Sequence, residues 1–561
     1  MKSDVSFNLI ESWFRQLVGF APAFTLSQGD SNVPSRCRCA YPRSLVIILK
    51  NNIGMTKKTL ILISFIALKF LLQYFLISPE YELHRDEYLY LDHAHHLDWG
   101  FLTVPPLTSW ISKLIFLLGN SVFWIKFFPA LFGALTILVV WKSIEELKGN
   151  LFALILGATC LLFSILLRLN TLYQPNSFDV LSWTTFYFIL IKFIKTEKSK
   201  WLYIGLVFFA IAVLNKYNIV FLLIGLIPAV LLSNQRKVFG KKELYIAMFL
   251  GLLLIVPNLI WQYTNHFPVI HHLKELSETQ LVYVNRLDFL KNQVFYFIGS
   301  FFVIIGALYG LLFYKPFEPY KLFCLTFVLT LIVFIYFKAK DYYAIGLYPI
   351  YISFGSVFFA NLLKDGWRRY LQPVAILIPA LLFIPYYSIG FPNKSPEYII
   401  QHSKKYQYLG LLRWEDGKDH ILPQDYADML GWKELASKVD SIYRTLPNKD
   451  KTLVLCDNYG QAGAINFYTT QKIQSVSFNA DYVNWFDLTK HYDNLIRVKE
   501  ENGKKTELQE TSPYFQSAII ADSITNPYAR EFGTTIFAFI GAKIDVSDRI
   551  KAEINKNKNY R

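Results

Sequence analysis

From about residue 60 to about residue 388, apolar residues come in runs of roughly 20, parted by short polar loops. Most of these runs are of the length that crosses a hydrocarbon core as a helix rising about 1.5 Å per residue. The pattern predicts about eleven spans, at 60–78, 121–141, 151–167, 180–194, 201–214, 218–232, 244–263, 293–313, 322–337, 344–362 and 371–388. A further apolar run at 106–118 is short for a crossing and reads as a helix lying along or dipping into the membrane interface.

After Gly390 the pattern changes. Apolar runs shorten to strand length, and charged and amide residues become common. Strands are predicted at 452–458, 473–478, 517–523 and 534–544, with helices at 428–445, 460–469 and 487–501. The predicted fold class is a polytopic α-helical membrane protein carrying a C-terminal soluble α/β domain. The division read from these changes is 1–54 as an N-terminal extension, 55–389 as the membrane domain with a first external loop at 79–120, and 390–561 as the α/β domain. Residues 1–54 lack a clear signal-peptide pattern, whereas Met55 opens a charged flank before the first span, so an upstream start assignment or a cytoplasmic extension is expected there.

Composition agrees with the pattern: 53% of residues are hydrophobic and 17% aromatic, too apolar for an ordinary soluble enzyme. The net charge of +15 does not point to nucleic acid, because the lysines and arginines gather in alternate short loops and in the tail. By that bias Lys57, Lys58 and the loops near 195–200, 234–243, 314–321 and 364–369 lie on the cytoplasmic side, and the first external loop lies outside. Among the five cysteines, Cys37 and Cys39 lie near the start, Cys160 and Cys324 lie in apolar runs and Cys456 stands alone in the tail; neither a disulfide framework nor a metal motif follows.

The chemistry concentrates at 82–110, where Asp86, Glu87, Asp92 and Asp98 lie among His84, His93, His95 and His96, and where Pro105 and Pro106 forbid one continuous helix. Asp179, Lys338, Lys340 and Asp341 fall on the same side of the membrane, so one polar pocket above the bundle is expected. Two classes fit such a pocket: a transporter whose carboxylates bind a cation or proton, and an enzyme whose carboxylate acts as a base on a membrane-borne substrate. Acids gathered in loops on one face, together with a one-sided soluble domain, favour the enzyme. Lys216, between two short spans, argues the other way. His93 and His96 could pair on a helix to bind a metal, but the histidines of this segment lack the ligand-plus-acid motif of a zinc enzyme, which favours structural or hydrogen-bonding roles; His266, His271 and His272 read as loop residues.

At these same residues the chain resembles the dolichyl-phosphate-mannose protein mannosyltransferase-like family of integral-membrane glycosyltransferases with the C-type fold, which also holds the bacterial aminoarabinose transferases of lipid A. Asp86-Glu87-Tyr88 resembles the family's acidic pair in the first external loop, and LDWGFLTVPPL (97–107) its glycine, aromatic and Pro-Pro-Leu closure. QPNSFDVLSW (174–183) resembles the second external loop, KAKDYYAIGLYP (338–349) the later lysine and tyrosine segment, and NYGQAGAINFY (458–468) a motif of bacterial soluble tails.

The resemblance implies an inverting transferase using a polyprenyl-phosphate sugar donor at the outer face of the bacterial inner membrane, with site and C-terminal domain periplasmic. It implies Asp86 as base with Glu87 beside it, Lys338, Lys340 and Tyr342 on the donor phosphate, and Asp179, Gln174, Asp98 and Trp99 around the pocket. The implied partners are the lipid-linked donor, a lipid, glycan or protein acceptor, and membrane lipids, with no nucleic acid. No cofactor is certain; if a divalent cation is used, Asp86 and Glu87 would hold it. The rival expectation is a transporter or flippase of a lipid-linked sugar. Thr103 and Val104 depart from the charged residue that many members carry just before the Pro-Pro pair.

Overall fold

The computed structural model describes residues 56–559. The expected extension at 1–54, with Cys37 and Cys39, lies outside the described residues. Among the described residues five helices are long and apolar enough to cross a membrane: Lys57–Phe75 (α1), Val122–Glu146, Pro175–Thr196, Lys242–Thr264 and Gly366–Gly390. Three bent pairs raise the number to eight. The figure of about eleven is reached only if the shorter helices Leu151–Leu162, Lys200–Asn215 and Leu322–Tyr336 cross as well.

The shortfall has a local cause: several predicted spans are broken helices. The run at 293–313 divides into Arg286–Tyr296 and Phe301–Phe313, bent by 100°, and the run at 344–362 begins as the turn Asp341–Leu347 before Pro349 starts a helix to Leu362. The chain is a multi-pass membrane protein.

Between α1 and the next long helix lie a short helix Arg85–Asp92 (α2) and, after the Pro105-Pro106 break, the helix Leu107–Leu117 (α3). α2 starts with a capping box: the His84 ring accepts the Asp86 N–H and the Glu87 carboxylate accepts the His84 N–H. Val122–Glu146 (α4) follows. Pro175–Thr196 (α5) begins at a proline, which holds the preceding Gln174 extended at φ −138° and ψ 162°. Lys200–Asn215 (α6) stops at Lys216, whose extended backbone breaks the helix before Val220–Leu231 (α7); Lys242–Thr264 (α8) comes next.

The C-terminal sheet has the order β2-β1-β3-β5-β4, with β1 Thr452–Cys456, β2 Ser475–Ser477, β3 Asn494–Lys499, β4 Phe515–Ser523 and β5 Thr535–Ala542. β1 pairs in parallel with β2 and β3; β5 runs antiparallel to β3 and β4. The helix predicted at 487–501 is corrected here, because its second half is the central strand β3. Five successive residues of β3, from Asn494 to Val498, are buried, and a strand covered on both faces loses the alternation that would separate it from a helix. The other predicted strands and helices of this domain are present, including Trp432–Thr445 (α9) and Tyr459–Tyr468 (α10).

One apolar core fills the helical bundle, and a second is shared between α2, α4 and the C-terminal domain. In the second core Tyr88 of α2 meets Trp432 edge to face at a centroid distance of 5.8 Å, both rings fully buried. Such a contact adds about 0.5–1.5 kcal/mol beyond the area it buries. The Asp86 helix is therefore packed between bundle and sheet domain.

Candidate active site

Asp86 lies in the first turn of α2, with its side chain 30% exposed. Its two oxygens take donors from different parts of the chain. The Tyr459 hydroxyl, at the start of α10, donates to Oδ1 at 2.6 Å, and Gln174 Nε2 donates to Oδ2 at 3.1 Å. The chain of contacts continues inward. Asn176 Nδ2 donates to Gln174 Oε1 at 2.8 Å, and Lys216 Nζ donates to Asn176 Oδ1 at 2.6 Å. The same ammonium lies 4.5 Å from the Tyr343 ring centre and 5.2 Å from that of Tyr342.

Burial opposes ionisation of Asp86, but His84, Arg85, the Tyr459 hydroxyl and Lys340 outweigh it and hold the carboxyl below the usual range. Asp86 is thus ionised throughout the physiological range. It is a weak base in the ground state, suited to accept a proton late, once the hydroxyl that gives it up has begun to bond elsewhere.

Glu87 points the other way. Its side chain is fully buried; Lys126 donates to both oxygens at 2.7 Å, the Tyr173 N–H to Oε1 at 2.6 Å and the His84 N–H to Oε2 at 2.7 Å. With every acceptor direction taken, Glu87 fixes the start of α2 and leaves Asp86 as the open carboxylate.

Asp179 is 4% exposed and accepts from Trp183 Nε1 at 3.2 Å and Asn218 Nδ2 at 2.9 Å. Asn218 also donates to the Tyr343 carbonyl at 3.0 Å, so Asp179 braces the tyrosine pair that faces Lys216. Lys340 forms an ion pair at 2.5 Å with Glu415, which sits in the turn closed by the Arg413–Asp419 bridge. Burial opposes the Lys340 charge, but Glu415 and the Tyr343 hydroxyl raise its pKa. Lys338 has a left-handed backbone at φ 51°, and its ammonium has no hydrogen-bond or ion-pair partner among the described residues.

Asp98 and Trp99 stand apart from this chain of contacts. Trp261 Nε1 donates to Asp98 at 2.7 Å and Asn258 Nδ2 to the Trp99 carbonyl at 2.7 Å, which ties the loop to α8. The histidines of this segment are held by packing and hydrogen bonds within the protein. His93 stacks on Phe101 at 3.9 Å and bonds Asp481, while His96 stacks on Trp485 at 4.2 Å.

The residues do not fit a divalent cation. Glu87 already carries a lysine, both Asp179 oxygens are occupied, and no group of three or more His, Cys, Asp or Glu disposed to hold a metal occurs among the described residues. A cavity of about 480 Å³ lies elsewhere, at the far end of the helix Pro349–Leu362, lined by Asn361, Leu362, Lys364 and Arg368 among others.

Residues 103–261 match the family model described as dolichyl-phosphate-mannose-protein mannosyltransferase. The structure of ArnT from Cupriavidus metallidurans bound to undecaprenyl phosphate aligns with a TM-score of 0.57 at 14% identity, covering 85% of this chain and 97% of that one. The chain has the C-type glycosyltransferase fold. The apo form of the same ArnT aligns to this fold with a TM-score of 0.55 at 13% identity, over 86% of this chain and 98% of that one. The lipid A galacturonosyltransferase RgtD of Rhizobium johnstonii is 21% identical over 367 residues, 61% of this chain and 73% of the relative. The resemblance of this C-type chain to the mannosyltransferase-like family therefore holds. The family match begins at Thr103 and leaves Asp86 outside it.

Asp86, Gln174, Asp179, Lys340 and Tyr342 stand out in the sequence, whereas Tyr459, Asn176 and Glu415 come to notice only through their contacts with Asp86, Gln174 and Lys340. Lys216 was visible as a lone cation between apolar runs, and Tyr459 as the second residue of NYGQAG. Glu415 carries no signal in the sequence.

Proposed function

We propose that this protein transfers a monosaccharide from a polyprenyl-phosphate donor to a lipid, glycan or protein acceptor, at the outer face of the bacterial inner membrane. The observation that carries this reading is the partly open Asp86 carboxylate, held by Tyr459 and Gln174, with the Lys216 ammonium two side chains away and Lys340 close enough to act on its charge. A carboxylate beside cations, in a fold shared with a protein solved with undecaprenyl phosphate bound, suits a substrate that joins a sugar to a phosphate.

In this mechanism the acceptor hydroxyl is oriented by Asp86 and attacks the anomeric carbon in line. The bond from acceptor oxygen to anomeric carbon forms as the bond from anomeric carbon to phosphate oxygen breaks. The hydroxyl proton passes to Asp86, and the electron pair leaves with the polyprenyl phosphate. Lys340, Lys338, Lys216 and Tyr342 stabilise the negative charge of that leaving group. One displacement inverts the anomeric centre. Glu87 serves by fixing α2 and Asp179 by bracing the tyrosine pair. Residues 55–389 form the transferase domain, and residues 390–561 lie on the periplasmic side.

A deletion strain complemented with wild type or with Asp86→Asn tests this reading by glycolipid and glycan profiling. The expected result is a sugar-modified species that wild type restores and Asp86→Asn does not. Restoration by both would overturn the role of Asp86. Accumulation of an unconsumed lipid-linked sugar on the cytoplasmic side would favour the rival flippase.

A further inference from the structure

The C-terminal domain reaches the Asp86 carboxylate directly through the side chain of Tyr459. α10 is brought against α2 by two glycines. A Cβ at Gly463 would lie 2.6 Å from the Tyr88 Cβ and 2.7 Å from the Tyr482 hydroxyl, and one at Gly460 would lie 3.2 Å from the Arg85 Cβ. Only hydrogen fits at Gly463 without a shift of one helix from the other. Asn458 caps α10 in a box with Gln461, which fixes the direction in which its first residue leaves. That residue is Tyr459. The Arg85 guanidinium lies 4.5 Å over its ring, and its hydroxyl ends 2.6 Å from Asp86 Oδ1.

We propose that Tyr459 is a positioning residue for the transfer reaction: its hydroxyl, carried in by the C-terminal domain, holds Asp86 Oδ1 and leaves Oδ2, shared with Gln174, to receive the acceptor hydroxyl. The inference rests on the function proposed above. It also gives the NYGQAG segment a physical reason: tyrosine to hold the carboxylate, glycines to let the helix come close enough. The C-terminal domain is then a working part of the site.

The groups facing Asp86 are His84, Arg85 and Tyr90 from its own segment, Tyr459 from α10, Lys340 from the 338–340 segment and Glu415 from the 412–420 turn. Tyr459 stabilises the ionised form as a neutral donor, and its loss raises the Asp86 pKa; Glu415 acts in the same direction as that loss, and Lys340 and Arg85 act against it.

The test uses the full-length protein in detergent. Tyr459→Phe is expected to lower kcat/KM about tenfold and to move its acid limb up by about one pH unit, as loss of one hydrogen bond to a charged group predicts. A fluorinated tyrosine at 459, which keeps the shape and donates more strongly, is expected to move the limb the other way. An acid limb unmoved by both replacements would overturn the proposal, whatever happens to the rate. If Tyr459→Phe does not fold, the fluorinated protein carries the test alone.

An infrared titration of the Asp86 carboxyl, taken as wild type minus Asp86→Asn, reads the same shift without turnover. A wild type that transfers no sugar, yet shows the infrared shift on Tyr459→Phe, would reject the function and keep the contact. Transfer by wild type without any shift would do the reverse.

Discussion

Lys126 of α4 donates to both carboxylate oxygens of Glu87 at 2.7 Å, and this pair holds the helix that carries Asp86. Glu87 is fully buried while the Lys126 side chain keeps 23% of its exposure, so removing the lysine strands a buried carboxylate. Lys126→Met is expected to destabilise the protein by about 3–5 kcal/mol. Glu87→Gln is milder, because the amide oxygen still accepts one backbone N–H. The double variant should recover part of the loss of Lys126→Met. Thermal unfolding in detergent reads all three, and a neutral Lys126→Met would contradict the structural role given to the pair.

Asp92 gives a pH dependence. It accepts from Tyr482 Oη at 2.6 Å and Asn466 Nδ2 at 2.7 Å, and burial, only partly offset by these bonds, pushes its pKa up to about 6. A folded pKa above the unfolded value means that the protonated form is the one favoured by folding. Its contribution is full below the ordinary carboxyl pKa and is lost as pH rises through about 6. Asp92→Asn removes that loss while keeping an acceptor. It should raise stability at neutral pH by up to about 3 kcal/mol and flatten the stability profile between about pH 4 and 7. Unfolding midpoints measured across that range check it; a profile as steep as wild type would contradict it.

If Lys340 binds the donor phosphate as proposed, its ion pair with Glu415 competes with that binding. The pair is partly open to water, with the Glu415 side chain 45% exposed and that of Lys340 16%, so it contributes about 0.5–1 kcal/mol. Glu415→Gln frees the ammonium for the donor phosphate. The KM for the donor should fall about two- to fivefold with kcat little changed. A raised KM would mean that Glu415 holds Lys340 in its working place instead.

Much of this site was legible in the chain because membrane proteins confine costly polar groups to few places. Asp86, Gln174, Asp179 and Lys340 all lie in short segments between apolar runs, and a charge there stands out. Contacts made across long separations did not show. Tyr459 is 373 residues from Asp86, and Glu415 is 75 from Lys340. No local periodicity carries that information. Glu87 is the instructive case: beside Asp86 in sequence, it lies one position further round the helix and faces Lys126 instead of the opening, since adjacent helical residues do not share a face. The misread strand β3 failed for another reason: a central strand buried on both sides has no alternation to read.

In the proposed reaction Asp86 takes the acceptor proton as a sugar leaves its polyprenyl phosphate. The most direct test is transfer of a radiolabelled monosaccharide from a polyprenyl-phosphate donor by the purified protein, wild type against Asp86→Asn. Asp86→Asn keeps the size of the side chain and an oxygen for Tyr459, and its kcat is expected to fall about 10²–10⁴-fold with donor binding retained. Transfer by Asp86→Asn at the wild-type rate would contradict it.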